Sequence, residues 1–128
     1  MLYTLLTFAA VLLLSCSNKE EAAPSLASFP ARVVKAEAPE EAQKGESVAV
    51  KVHFLVNNGC GEFSHIQEAK DGTTLTIEVY PRYREAFCTQ AITTRETIYM
   101  FKPENTGTYM LKFWAGDGQY ITETVVVQ

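Results

Sequence analysis

Chemistry-bearing residues are scarce in this chain. Its 128 residues include two histidines (His53 and His65), two aspartates (Asp71 and Asp117), one tryptophan (Trp114) and three cysteines (Cys16, Cys60 and Cys88). Both aspartates adjoin glycine, where turn chemistry accounts for them. There is no C-x-x-C, H-E-x-x-H, G-x-S-x-G or phosphate-cradling glycine loop, so the usual signatures of redox, metalloprotease, hydrolase and nucleotide chemistry are missing. Ser64 and His65 are neighbours, and strand alternation would send them to opposite faces rather than into a dyad. No enzymatic activity and no cofactor are expected. Cations are also few: eleven Lys and Arg against fifteen Asp and Glu give a formal charge of −4. Without a basic stripe, nucleic acid is not an expected partner, because its phosphates need clustered Lys and Arg. No apolar run reaches the roughly 20 residues of a membrane-spanning helix.

What is present starts at the N-terminus. Residues Met1 to Val11 are apolar or small, with no Lys or Arg, and lead into Leu12-Leu13-Leu14-Ser15-Cys16. A short apolar segment closed by a small residue and cysteine resembles the lipobox of bacterial lipoproteins. In that family the thiol, here that of Cys16, is diacylglycerated, the peptide is cut before it, and the new amino terminus takes a further acyl chain such as palmitate. The resemblance covers sixteen residues and departs from the pattern in lacking a cation before the apolar segment. It implies a signal peptide over 1–15 and an outer-membrane lipoprotein of the cell envelope, with the membrane as partner through Cys16. Two acyl chains anchor stably where one is marginal, at about 0.8 kcal/mol per buried CH₂. The string Cys16-Ser17-Asn18-Lys19-Glu20-Glu21 is similar to the short acidic signal that sends lipoproteins of Bacteroidota to the cell surface. Periplasm-facing and surface-exposed placements both stay open.

Acylation of Cys16 leaves an even pair, Cys60 and Cys88. In an oxidising compartment these are expected to form a disulfide. Closing a loop of about 29 residues would constrain the unfolded chain by roughly 3.5 kcal/mol in the entropic model. After cleavage about 113 residues remain, a size suited to one domain. Residues 16–29 read as a polar, proline-containing tether. Residues 30–128 read as all-β.

The strand pattern is clearest at Val48, Val50, Val52, Phe54 and Val56, whose period of two marks one buried face. Asn57-Asn58-Gly59 follows as a turn. Phe63 to Ala69 is a weaker strand, and Asp71-Gly72 a hairpin turn. Leu75, Ile77 and Val79 alternate until Pro81, which is expected to end the strand. Arg32 to Glu37, Thr97 to Lys102, Tyr109 to Trp114 and Tyr120 to Val127 supply the remainder, the last two joined by Gly116-Asp117-Gly118. About seven short strands in about 100 residues is the pattern of an immunoglobulin-like antiparallel β-sandwich. Asn105-Thr106-Gly107-Thr108-Tyr109-Met110-Leu111 resembles the immunoglobulin approach to strand F, and the resemblance gives Tyr109 the tyrosine-corner role. Leu111 stands where antibody domains carry their second disulfide cysteine, so Cys60–Cys88 would be a different staple. No tryptophan occupies the strand C place either. Fold does not imply function.

Candidate sites are few. Tyr80 to Cys88 mixes aromatic and guanidinium groups in a stretch the disulfide would pin, and Tyr and Arg are enriched at interface hot spots. Arg82, Tyr83 and Arg84 are therefore expected on an exposed loop as the contact surface for an envelope protein or glycan. Trp114 alternates away from Tyr109, Leu111 and Phe113 and is expected to be exposed beside Tyr120. His53 and His65 lie at equal sequence distance from Gly59. A symmetric hairpin there would bring them together, with Glu62 and Glu68 near, as a metal-handling alternative. A protease-inhibitor-like domain acting through its end loops is a further alternative. The leading expectation is a non-catalytic binding or assembly module of the envelope.

Overall fold

Val48 to Val56 form the middle strand of one sheet, and the alternating Val50, Val52, Phe54 and Val56 are 0% exposed. The computed structural model describes residues 25–128; the signal segment, Cys16 and the tether as far as residue 24 lie outside the described residues. After a 3-10 turn at Leu26–Ser28, eight strands follow: β1 (Val33–Glu37), β2 (Glu41–Ala42), β3 (Val48–Val56), β4 (Gly61–Asp71), β5 (Thr74–Tyr83), β6 (Thr93–Phe101), β7 (Gly107–Gly116) and β8 (Gln119–Val127). They form two sheets, β1-β3-β6 and β2-β8-β7-β5-β4, packed as a β-sandwich. Inner side chains from both sheets make one core, including Phe54, Ile77, Val79, Leu111, Phe113 and Val125. Burying each of these stabilises by about 1.5–3 kcal/mol.

The tyrosine corner forms: the Tyr109 hydroxyl donates to the Asn105 carbonyl at 2.9 Å. The pairing order then departs from the immunoglobulin arrangement, where the strand after B lies beside F. Here β4 is the sheet edge and β5 takes the inner place, running parallel to β7 from Thr74–Met110 to Ile77–Phe113. The two-residue β2 is also parallel to its neighbour, β8. Pro81 does not end β5. It sits buried within the strand opposite Phe63, beside a register shift at Ser64. A bulge tolerates proline because the ladder is already interrupted there.

The chain changes sheets between Val56 and Gly61, and many contacts converge on this crossover. Arg95 donates from Nε to the Gly61 carbonyl at 2.9 Å and from Nη2 to the Gly59 carbonyl at 3.0 Å. The Asn57 amide donates to the Tyr83 phenol oxygen at 3.0 Å, and the Cys60 amide to Asn58 Oδ1 at 2.9 Å. Gly59 N–H donates to the Thr89 carbonyl at 2.8 Å. Cys60 and Cys88 lie at disulfide distance, with Cα atoms 5.5 Å apart. Two glycines permit this crowding. A Cβ on Gly61 would stand 2.4 Å from the Val56 Cβ, and one on Gly59 would stand 2.2 Å from Thr89 Oγ1. Gly61→Ala is expected to cost about 1–3 kcal/mol through overpacking, read as a lower midpoint in urea unfolding. An unchanged midpoint would show that the crossover is not tightly packed.

Candidate functional site

Strand alternation sorts the candidate residues into two groups. On β5 the side chains of Glu78, Tyr80 and Arg82 point outward, while Ile77, Val79 and Pro81 point into the core. On β7 Lys112 and Trp114 are outward, and on β8 Tyr120 lies directly opposite Trp114. On β4 Glu62 pairs with Arg82 and His65 with Tyr80. Arg82 and Trp114 therefore share one surface, the outer face of the five-stranded sheet. Tyr83 does not join them. Tyr80 to Tyr83 is strand rather than loop, and alternation turns Tyr83 inward, where its oxygen receives the Asn57 amide. Arg84 lies past the strand end, and its Nε reaches Glu62 Oε1 at 2.9 Å while Arg82 Nη2 reaches Glu62 Oε2 at 3.3 Å. One carboxylate thus holds both guanidinium groups, a contact worth little by itself because the arginines are largely exposed.

Two aromatic pairs define this face. The His65 and Tyr80 rings are stacked, 4.9 Å between centroids and 7° from parallel. Trp114 stands beside Tyr120, and the Lys112 ammonium lies over the Tyr120 ring at 4.4 Å. Between the pairs β5 and β7 part, and the N-terminal segment enters: Ala31 bridges Val79, and Arg32 Nε donates to the Ala115 carbonyl at 3.1 Å. Gly116 leaves room for that arginine, since a Cβ there would stand 2.7 Å from Arg32 Nε. The Tyr80 hydroxyl donates to Glu78 Oε2 at 3.0 Å. Desolvation, then that bond, push the phenol pKa above its usual range. Rows of threonine, Thr74 and Thr76 on β5 and Thr122 and Thr124 on β8, continue the face.

Trp114 also lines a cavity of about 310 Å³, together with Leu26, Phe29, Arg32, Leu55, Tyr83 and Ile92 among others. Leu26, Phe29 and Arg32 were not evident as site residues. The one signal in the sequence was two large apolar side chains, Leu26 and Phe29, inside an otherwise polar stretch.

The two histidines do not meet. The chain crosses to the other sheet at Gly59 instead of folding back as a hairpin, so His53 lies in the three-stranded sheet and His65 in the five-stranded one. Glu62 pairs with the arginines, and Glu68 accepts from the inward Tyr99 hydroxyl. Ser64 and His65 also depart from the simple alternation. The register shift at Ser64 lets its hydroxyl come within 3.0 Å of His65 Nδ1, although both groups are exposed. His53 bridges two carboxylates, with Nε2 3.2 Å from Glu37 and Nδ1 3.2 Å from Glu96. Its two nitrogens face different carboxylates on opposite sides, so the ring bridges β1 and β6.

A family model described as the ORF11 beta-sandwich domain matches residues 50–127, well over half of the chain. The chain is 34% identical over 58 residues to an uncharacterized 10.2 kDa protein in the HgiCIIM 5' region of Herpetosiphon aurantiacus. That match covers 44% of this chain and 62% of that protein, so it spans less than two thirds of the relative. No solved structure matches the chain.

The Glu37 carboxyl is held below the ordinary glutamate range, first by its hydrogen bond from Lys35 (3.0 Å) and then by that from His53. A depressed folded-state pKa contributes stability above the unfolded value that is lost as pH falls through the folded one. NMR titration of the Glu37 carboxyl is expected to show the depression, and Lys35→Gln to move it upward. No change in Lys35→Gln would show that the Lys35 contact does not persist in solution.

Proposed function

The chain belongs to the ORF11 beta-sandwich domain family, and we propose that it acts as a non-catalytic binding module of the bacterial cell envelope. In this reading Cys16 is the lipid anchor, and the outer face of the five-stranded sheet takes a glycan. The observation that carries it is the pair of aromatic platforms, Trp114 with Tyr120 and Tyr80 with His65, on one face. Aromatic rings offer flat apolar area that is ordered at low entropic cost. The apolar face of a sugar ring fits such area, while its hydroxyls need the donors and acceptors that Lys112, Glu78 and the threonine rows supply. A face built on paired strands is also held rigid before the ligand arrives, which lowers the cost of binding.

A glycan is favoured over a protein because the arginine cluster is less free than the aromatic groups. Arg82 and Arg84 are committed to Glu62, and Tyr83 faces inward. Retardation of the full chain in affinity gels carrying peptidoglycan glycan strands, chitohexaose or cellohexaose tests the reading. One of these is expected to bind. Tyr80→Ala and Trp114→Ala are each expected to weaken that binding by about 1–3 kcal/mol, roughly the cost of losing one aromatic anchor. Equal retardation of the wild type and both variants would place the ligand elsewhere.

A further inference from the structure

The two ends of the sandwich differ sharply. The last residues of β3, β5 and β7 and the first of β1, β4, β6 and β8 share one end, and the described chain enters there at Ser25. Among the described residues, four exposed large apolar side chains lie outside the strands, and all four fall at this end: Leu26 (50%), Phe29 (56%), Phe87 (110%) and Ile92 (69%). Two come from the entering segment and two from the connection that Cys60–Cys88 and the Gly59–Thr89 bond tie down. Leu26, Phe29 and Ile92 converge on the cavity that Trp114 also lines. All four arginines of the chain, Arg32, Arg82, Arg84 and Arg95, are at the same end, against Glu62, Glu85 and Asp117. The opposite end carries Glu40, Glu41, Glu46, Asp71 and Glu104 against Lys44, Lys70 and Lys102, a reversed balance in a chain of net charge −4.

We infer that this end docks directly on an anionic bilayer surface, with Phe87 and Ile92 entering the interface and the exposed Arg82 and Arg84, which share the single carboxylate Glu62 and so keep one positive charge over, facing lipid phosphates. Exposed apolar side chains on a rigid support gain by leaving water at the acyl boundary. Tryptophan favours the headgroup level, and Trp114 lines the cavity at this end. Arginine pairs with phosphate through its planar fork, and anionic leaflets attract such cations. The placement suits a membrane partner in a second way. If Cys16 is the anchor, eight residues separate it from Ser25, a reach of at most about 30 Å, and they join the domain on this side. Docking on this end would stand the five-stranded sheet upright, with Trp114 at the membrane edge of its outer face and the face above it open to a glycan.

The test uses the single tryptophan. The full chain is mixed with vesicles of phosphatidylcholine and phosphatidylglycerol in which the phosphatidylcholine carries brominated acyl chains, and Trp114 emission is followed. Quenching is expected, weakening as salt is raised. Phe87→Asp with Ile92→Asp, two exposed changes that leave the core untouched, is expected to abolish quenching. Near-UV circular dichroism checks that the fold is kept, and Phe87→Leu with Ile92→Leu is expected to restore the quenching. Unquenched Trp114 in the wild type, or equal quenching in the aspartate variant, would overturn the inference, because any attachment would then be made elsewhere in the chain.

Discussion

The arrangement of one whole end of this domain depends on the crossover between Val56 and Gly61. A chain that leaves one sheet for the other must turn its backbone polar groups away from both ladders, and those groups need partners when buried. Arg95 supplies two of them by donating to the Gly59 and Gly61 carbonyls, and Tyr83 accepts from Asn57. Because Arg95 belongs to β6 and Tyr83 to β5, the crossover also ties the two sheets to each other. Cys60–Cys88 adds the connection between β5 and β6 to the same knot. The glycines are there because nothing larger fits between Val56 and Thr89.

From that knot follow both surfaces to which a role is given. Sending β4 across to the other sheet, rather than back along β3, makes the β4–β5 hairpin part of the larger sheet. It lays His65 over Tyr80 on an outward face that also carries Trp114 and Tyr120. The same knot holds Phe87 and Ile92 in a short restrained connection, exposed but supported. Side chains on such a support lose little conformational entropy when a partner arrives. The upright face and the apolar end are thus two results of one constraint.

Most of the strands were legible because burial on one face imposes a period of two, and β3 shows it without interruption over Val48 to Val56. Tyr109 was legible for another reason, since its corner depends on local sequence and closes on Asn105 only four residues away. What could not be read depends on long-range pairing. The parallel β5–β7 contact has no local signature, and a two-residue β2 is too short to show a period. His53 and His65 were placed by symmetry about Gly59, a symmetry that holds only if the chain turns back there. The bulge at Ser64, which brings its hydroxyl to His65 and allows Pro81 inside a strand, is likewise a property of two strands together. Of the candidate contact residues, Trp114 was placed outward by alternation, whereas Arg82 was chosen by residue type on an expected loop and faces outward because β5 continues past Pro81. Tyr83 was assigned by residue type in the same way, and the continued alternation turns it inward instead.

Amide shift mapping tests most directly the claim that the outer face of the five-stranded sheet is the ligand surface. The isotope-labelled chain is titrated with peptidoglycan glycan strands, chitohexaose and cellohexaose. The account predicts perturbed signals at His65, Glu78, Tyr80, Trp114 and Tyr120, including the indole of the single tryptophan, with the three-stranded sheet unchanged. Perturbations centred instead on Lys51, Ile98 and Met100 of that sheet, or none with any of the three glycans, would contradict it.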